Sequence, residues 1–141
     1  MISITKSSEI PLREVLRRSP VAEMPEAEAT LDQCVLRSRE IYYGLVDDEV
    51  ACVWGLIPPT LLSNTAYLWL LTTDIISENK FLFIRHSQRY IEKALEVWPI
   101  IVGDVLATNG PARKWLGWLG AEFSPEINGY LKFVIRKRNN G

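Results

Sequence analysis

The stretch DVLATNGPARKWLGWLGAEF, residues 104–123, carries the clearest signals of local structure in this chain. It begins at the end of an apolar, strand-sized segment and breaks at Asn109-Gly110-Pro111. Pro111 suits the first turn of a helix, and Asn109 suits the capping position before it. Gly120 is a residue typical of a helix end. The stretch therefore predicts a strand, a turn, a short helix and a return to a strand-like segment.

The flanking segments alternate between strand and helix. Residues 66–72 and 100–106 are apolar and strand-sized, and apolar residues recur at helical spacing over 81–98 between them. Such a strand–helix–strand unit requires a right-handed crossover and a parallel strand pair. Residues 41–56 alternate in polarity around Asp47-Asp48, which predicts a hairpin. A first strand at 2–5, helices ending near 18 and 37, and a last strand at 130–135 complete the order.

This order predicts an α/β (α+β) fold, with a mixed central sheet and helices on both of its faces. The length of 141 residues favours one domain over 1–141, with a basic tail at 136–141. The net charge of −1 gives no general attraction to nucleic acid, and no apolar run has the length of a membrane span. We expect neither a nucleic-acid nor a membrane partner. One histidine and two scattered cysteines, Cys34 and Cys52, predict free thiols and no metal site.

Two family resemblances rest on these residues. The order of elements, with Asn109 before a short helix that ends at Leu119-Gly120 and an aromatic residue at Phe123, resembles the GCN5-related N-acetyltransferase (GNAT) fold. The segment WLLTTD at 69–74, the helix from 81 and the run WLGWLG at 115–120 are similar to the internal virion protein A-like family of tailed-bacteriophage morphogenesis proteins, over residues 40–136. The second resemblance implies phage structural or assembly proteins as partners. It also implies a location in the virion, or in the host cytoplasm during assembly.

The GNAT resemblance implies a place for acetyl-CoA. In that fold the cofactor lies between two splayed parallel strands, and backbone groups of the first strand pair with pantetheine. The diphosphate lies at the start of the next helix, where N–H groups and the helix dipole favour an anion. The cofactor-binding residues that this resemblance implies are Leu70, Leu71, Thr72, Thr73, Ser77, Lys80 and Asn109.

Two features of the sequence argue against a working enzyme. GNAT enzymes use a glycine-rich loop at the diphosphate, because glycine lets the backbone approach the phosphates, whereas residues 74–80 read DIISENK and add negative charge. Many of them carry a tyrosine as general acid, four residues before the glycine of the short helix. That position is Leu116, which cannot transfer a proton. By elimination, Asp74 and Glu126 are the weak candidates for a catalytic base.

We therefore expect a non-catalytic phage virion or assembly protein with a degenerate acetyltransferase-like fold and no cofactor. Such a protein acts through protein–protein contacts. Trp115 and Trp118, three residues apart on a helix, are expected in the core, and exposure of either would favour an interface. The alternative is an acetyl-CoA-dependent N-acetyltransferase with an atypical diphosphate loop. A third hypothesis is a host-modifying factor that acts by binding alone.

Overall fold

The computed structural model describes residues 2–6, 12–58 and 64–137 of the chain. The final residues of the expected basic tail lie outside this range. In chain order the elements are β1 (Ile2–Thr5), α1 (Leu12–Arg17), α2 (Ala27–Arg37), β2 (Glu40–Val46), β3 (Glu49–Ile57), β4 (Thr65–Thr72), α3 (Ile76–Val97), β5 (Ile100–Leu106), α4 (Gly110–Trp118), β6 (Glu122–Phe123) and β7 (Tyr130–Arg136).

The strands form one seven-stranded sheet in the order β1-β2-β3-β4-β5-β7-β6. The pair β4–β5 is parallel, because α3 carries the chain across one face of the sheet between them. The other pairs in the described sheet are antiparallel. The predicted mixed sheet is confirmed.

Both faces of the sheet are covered by helices, as predicted. Alternate residues of a strand point to opposite faces, so Trp54 and Val53 on β3 belong to different cores. One core lies under α3 and α4 and contains Trp54, Leu68, Ile91, Ile101, Trp115, Leu116 and Phe133. The other lies under α1 and α2 and contains Val15, Leu16, Leu31, Val53, Trp69 and Leu71.

The predicted turns are confirmed by backbone geometry. Asp47 and Asp48 join β2 to β3 with φ angles of 47° and 68°, the left-handed pair that matches the twist of a hairpin. The Asn109 side chain accepts a hydrogen bond from the Ala112 N–H at 3.3 Å and so caps α4. Gly120 follows the end of α4 with φ 92°, which a glycine adopts without strain.

Two predictions about the helices are wrong. The long helix α3 begins at Ile76, five residues before the expected start at Phe81, so most of the expected loop at 74–80 is helical. Trp118 is 62% exposed, whereas Trp115 is buried. The buried face of α4 is centred on Ala112, Trp115 and Leu116, and Trp118 lies about a third of a turn away from it.

Cys52 is buried and Cys34 is partly buried, and both are free thiols, as predicted. None of the helices in the described ranges is long and apolar enough to cross a membrane. The described residues also hold no group of three His, Cys, Asp or Glu side chains that could bind a metal ion.

Candidate functional site

The two parallel strands at the centre of the sheet separate partway along their length. Their paired residues are Thr65 with Ile100, Ala66 with Ile101 and Tyr67 with Val102. Beyond these pairs β4 continues beside β3 as far as Thr72, and β5 continues beside β7 as far as Leu106. The facing backbone edges of the two strands therefore no longer pair beyond Tyr67 and Val102, and the opening lies beyond residue 68 of β4 and residue 103 of β5.

Gly103 marks the point where this opening begins. A Cβ atom built on it would lie 2.4 Å from the main-chain oxygen of Leu68 and 2.4 Å from the Phe133 ring. A larger residue would push the two strands apart before their last pair. The glycine thus allows the two strands to stay in contact just beyond their last pair.

The far end of the opening is bridged by one side-chain hydrogen bond. Asn109 Nδ2 donates to Thr72 Oγ1 at 2.9 Å, and both residues are buried. The neighbouring Thr73 hydroxyl donates to the carbonyl of Val50 at 2.9 Å. The structure thus brings Asn109, Thr72 and Thr73 together, and their polar side chains make structural hydrogen bonds.

A cavity of about 350 Å³ lies at this end, and we call it the strand-end cavity. It is bounded by the end of α1, the residues that follow β4 and the turn that follows β5. Its lining residues are Arg17, Arg18, Ser19, Pro20, Thr72, Thr73, Asp74, Thr108, Asn109 and Pro111. Arg18 Nη2 lies 3.1 Å from Asp74 Oδ1, so an ion pair crosses it.

A second cavity of about 160 Å³ lies on the face covered by α2, and we call it the α2-side cavity. It adjoins the first along β4, because Leu70 and Leu71 line one cavity while Thr72 and Thr73 line the other. Its walls are largely apolar, with contributions from Leu16, Val21, Met24, Pro25, Leu31 and Trp69. Tyr67, Asp104 and Tyr130 bring polar groups to it.

The polar groups of the α2-side cavity include one direct hydrogen bond. The Tyr67 hydroxyl donates to Asp104 Oδ2 at 3.0 Å, which joins β4 to β5 at the start of the opening, beside their last pair. Burial raises the pKa of Tyr67 above the ordinary value, and the negative charge of Asp104 raises it further. Tyr67 is therefore a neutral donor at physiological pH, and Asp104 is an exposed carboxylate held by it.

Other residues singled out from the sequence lie elsewhere. The side chains of Ser77 and Lys80 fall outside the described part of the structure, although their backbone lies in the first turns of α3. Leu116 is fully buried in the core, so no proton donor occupies that position. Glu126 is exposed on the segment between β6 and β7, outside the residues that line either cavity. Asp74 lines the strand-end cavity.

Sequence reasoning missed four residues that line these cavities. Asp104 is an isolated carboxylate within the apolar segment IIVGDVL of β5, and that interruption is a signal that could have found it. Tyr67 is its partner one strand away, 37 residues earlier in the chain. Arg17 and Arg18 close α1, where the sequence offered no motif, and only the folded chain brings them to β4.

Comparison with known proteins identifies the fold. No protein-family model matches the chain, and no curated protein matches it by sequence. An acetyltransferase from Bacillus subtilis, solved in complex with CoA, is 14% identical with a TM-score of 0.68, over 98% of this chain and 100% of that one. A GNAT family acetyltransferase from Elizabethkingia anophelis with acetyl-CoA bound is 14% identical with a TM-score of 0.65, over 96% and 97%. An N-acetyltransferase from Staphylococcus aureus is 10% identical with a TM-score of 0.67, over 96% and 98%. The chain has the GNAT fold.

These neighbours overturn one prediction from the sequence. They are acetyltransferases, and two of them hold CoA or acetyl-CoA, which favours the acetyltransferase alternative. The expectation of a non-catalytic virion or assembly protein without a cofactor is therefore wrong. The resemblance to the internal virion protein A-like family of phages receives no support from the comparisons. That expectation gave too much weight to a missing glycine motif, whereas the structure supplies polar and cationic groups from other elements.

Proposed function

We propose that this protein is an N-acetyltransferase that uses acetyl-CoA to acetylate an amine. The observation that carries the proposal is the opening between β4 and β5, which has one cavity at its end and another on its α2 face. The two cavities meet along consecutive residues of β4, from Leu70 to Thr73. This arrangement suits a reaction with two substrates, because each can enter from its own side and meet the other at the opening.

The residues around the opening fit acetyl-CoA. Beyond Tyr67, β4 no longer pairs with β5. The backbone groups on this edge of β4 can therefore pair with the amides of a pantetheine arm. The cationic side of the strand-end cavity suits phosphate groups. When bound, acetyl-CoA supplies the acetyl group as a thioester, which an amine nucleophile attacks.

Asp104 is the best-placed base for the incoming amine. Its carboxylate lines the α2-side cavity at the opening, and Tyr67 donates a hydrogen bond to one of its oxygens at 3.0 Å. The second oxygen of a carboxylate has lone pairs that can accept a proton from an ammonium group. Tyr67 acts as a positioning residue, because it fixes the carboxylate without competing for the proton.

Position 116 of α4 supplies no general acid, because it is a leucine whose side chain is buried in the core. An ordinary thiol has a pKa of about 8.5, so release of a thiolate near neutral pH does not require a proton from a side chain. The absence of a hydroxyl at this position therefore lowers the expected rate without excluding the reaction. Removing general acid–base assistance typically costs about 10²- to 10⁴-fold in rate.

The walls of the α2-side cavity indicate the kind of amine. Leu16, Val21, Met24, Leu31 and Leu71 present apolar surface, and Asp104 lies among the few polar residues. An amine with an apolar substituent would bury that substituent while its nitrogen approaches Asp104. Burying apolar surface contributes roughly 25 cal/mol per Å². A polyamine fits these walls less well, because its additional ammonium groups would be buried without partners.

Acetyl transfer can be tested by following thiol release from acetyl-CoA with 2-phenylethylamine as the acceptor and spermidine as the polar comparison. We expect turnover with 2-phenylethylamine and a fall in kcat/KM of about 10²-fold or more in Asp104→Asn, because the base is lost. Asp48→Asn, at the exposed hairpin tip, is the matched control and should retain full activity. Full activity in Asp104→Asn would remove Asp104 from the mechanism, and no acetylated product with either amine would count against the proposed function.

A further inference from the structure

The strand-end cavity carries positive charge that comes from a distant part of the chain. Among the described residues that line it, Arg17 and Arg18 are cationic and Asp74 alone is anionic. Both arginines close α1, whereas Asp74 follows β4, so the sequence separates Arg18 and Asp74 by 56 residues. The described lining therefore has a formal charge of +1, at the open ends of the two strands that hold the proposed cofactor.

The ion pair in this cavity is of the kind that a ligand can exchange. Arg18 Nη2 and Asp74 Oδ1 are 3.1 Å apart, and their side chains are 44% and 83% exposed. Ion pairs with this exposure contribute little to stability, roughly 0–1 kcal/mol, because water screens them. Arg17 makes no ion pair with any carboxylate in the described ranges. Arg17 is exposed at the cavity, and Arg18 is held there by a weak partner.

We propose that Arg17 and Arg18 bind the diphosphate group of the cofactor, an inference that rests on the proposed function. A guanidinium presents paired N–H donors whose spacing matches the oxygens of a phosphate. Guanidinium groups from α1 then take the place of the backbone N–H groups that a glycine-rich loop after β4 would present to the phosphates. The negative charge of Asp74 is partly offset, because its carboxylate faces Arg18.

The same geometry gives Asp74 an opposing role. Its carboxylate and an incoming phosphate compete for the N–H donors of the same Arg18 guanidinium, so opening of the ion pair would free a donor for the ligand. Removal of the Asp74 charge also removes a repulsion between like charges in the cavity. The arginines favour the diphosphate and Asp74 opposes it, so substitutions on the two sides should change affinity in opposite directions.

Isothermal titration calorimetry with CoA, pantetheine and inorganic pyrophosphate tests this assignment. Arg17→Gln and Arg18→Gln should each weaken CoA and pyrophosphate binding by about 10- to 100-fold, the loss expected for a charge-assisted hydrogen bond, and should leave pantetheine binding unchanged. Asp74→Asn should tighten CoA and pyrophosphate binding by roughly 2- to 5-fold. Arg13→Gln is the matched control, because Arg13 is exposed on the same helix beside Asp32 and outside the cavity.

The outcomes separate this inference from the proposed function. Arginine variants that bind CoA as tightly as the wild type does would overturn the inference and leave the proposed function intact. Arginine-dependent binding of pyrophosphate without binding of CoA would support an anion site and contradict the proposed function. No heat with CoA or pyrophosphate in the wild type would overturn both. Thermal melting of each variant shows whether the fold is preserved.

Discussion

Asn109 Nδ2 donates a hydrogen bond to Thr72 Oγ1 at 2.9 Å and so joins the turn after β5 to the end of β4, where the two strands have already separated. Asn109 also caps α4 by accepting from the Ala112 N–H. One side chain therefore starts a helix and holds the mouth of the opening at a fixed width. This double role explains why a polar residue is buried here.

We expect Asn109→Ala to lower the free energy of unfolding by about 2–3 kcal/mol, since both the helix cap and the buried cross-strand bond are lost. Asn109→Ser retains a capping oxygen but cannot reach Thr72 with an amide, so it should cost about 1 kcal/mol. Urea denaturation of the two variants and the wild type measures the difference. Equal losses in both variants would show that the capping oxygen contributes nothing, and no loss in Asn109→Ser would show that the bond to Thr72 contributes nothing.

Trp115 and Trp118 should differ sharply in their effect on stability. Trp115 is 1% exposed and its indole N–H donates to Ser87 Oγ at 2.7 Å, so Trp115→Ala should lower the free energy of unfolding by about 3–5 kcal/mol. Trp118 is largely exposed, and Trp118→Ala should change the free energy of unfolding by no more than about 0.5 kcal/mol. Thermal and urea denaturation of the matched pair test this. A comparable loss for Trp118→Ala would place that ring in a packed environment.

The stability of the protein should fall at alkaline pH, in part through Cys52. Burial raises the pKa of the Cys52 thiol to about 12 in the folded chain, whereas an unfolded thiol ionises near about 8.5. Between these values the unfolded state releases a proton that the folded state retains, so rising pH favours unfolding, by at most about 1.4 kcal/mol per pH unit. Below about pH 8 the thiol is neutral in both states and contributes no pH dependence.

Comparison of Cys52→Ala with the wild type isolates this contribution from that of the tyrosines. The variant should lose less stability than the wild type between about pH 8.5 and 12, measured by urea denaturation at each pH. Parallel curves for the two proteins would contradict a buried, protonated thiol.

Local signals in the sequence were sufficient for most of the fold. The alternating pattern on each side of Asp47-Asp48 predicted the hairpin, and Asn109 with Pro111 predicted the start of α4. The polar residues 77–80 were interpreted as a loop, so the start of α3 was predicted too late. Glu and Lys are good helix formers, and they do not stop a helix. Helical spacing alone could not orient α4, since Trp118 lies in its last turn at the edge of the buried face.

The site could be predicted only in part, because its charges come from elements that are far apart in the sequence. Thr72, Thr73 and Asn109 were implied as cofactor-binding residues by the GNAT resemblance, and the structure places all three at the strand-end cavity. Arg18 contacts Asp74 only in the folded chain. In the sequence alone, the negative charge of the segment after β4 therefore has no visible positive partner from α1. The sequence shows Asp104 as a carboxylate within an apolar strand. Its hydrogen bond with Tyr67 depends on the parallel register of β4 and β5, which the sequence alone does not specify.

Titration of the wild-type protein with acetyl-CoA, followed by competition with CoA, tests the central claim most directly. The opening between β4 and β5, with its cationic end, predicts saturable binding with a Kd in the micromolar range, about −8 kcal/mol, and displacement by CoA. Inorganic pyrophosphate should compete weakly for the same site. Absence of binding at millimolar acetyl-CoA, with the protein folded by circular dichroism, would contradict the assignment of this opening as an acetyl-CoA site.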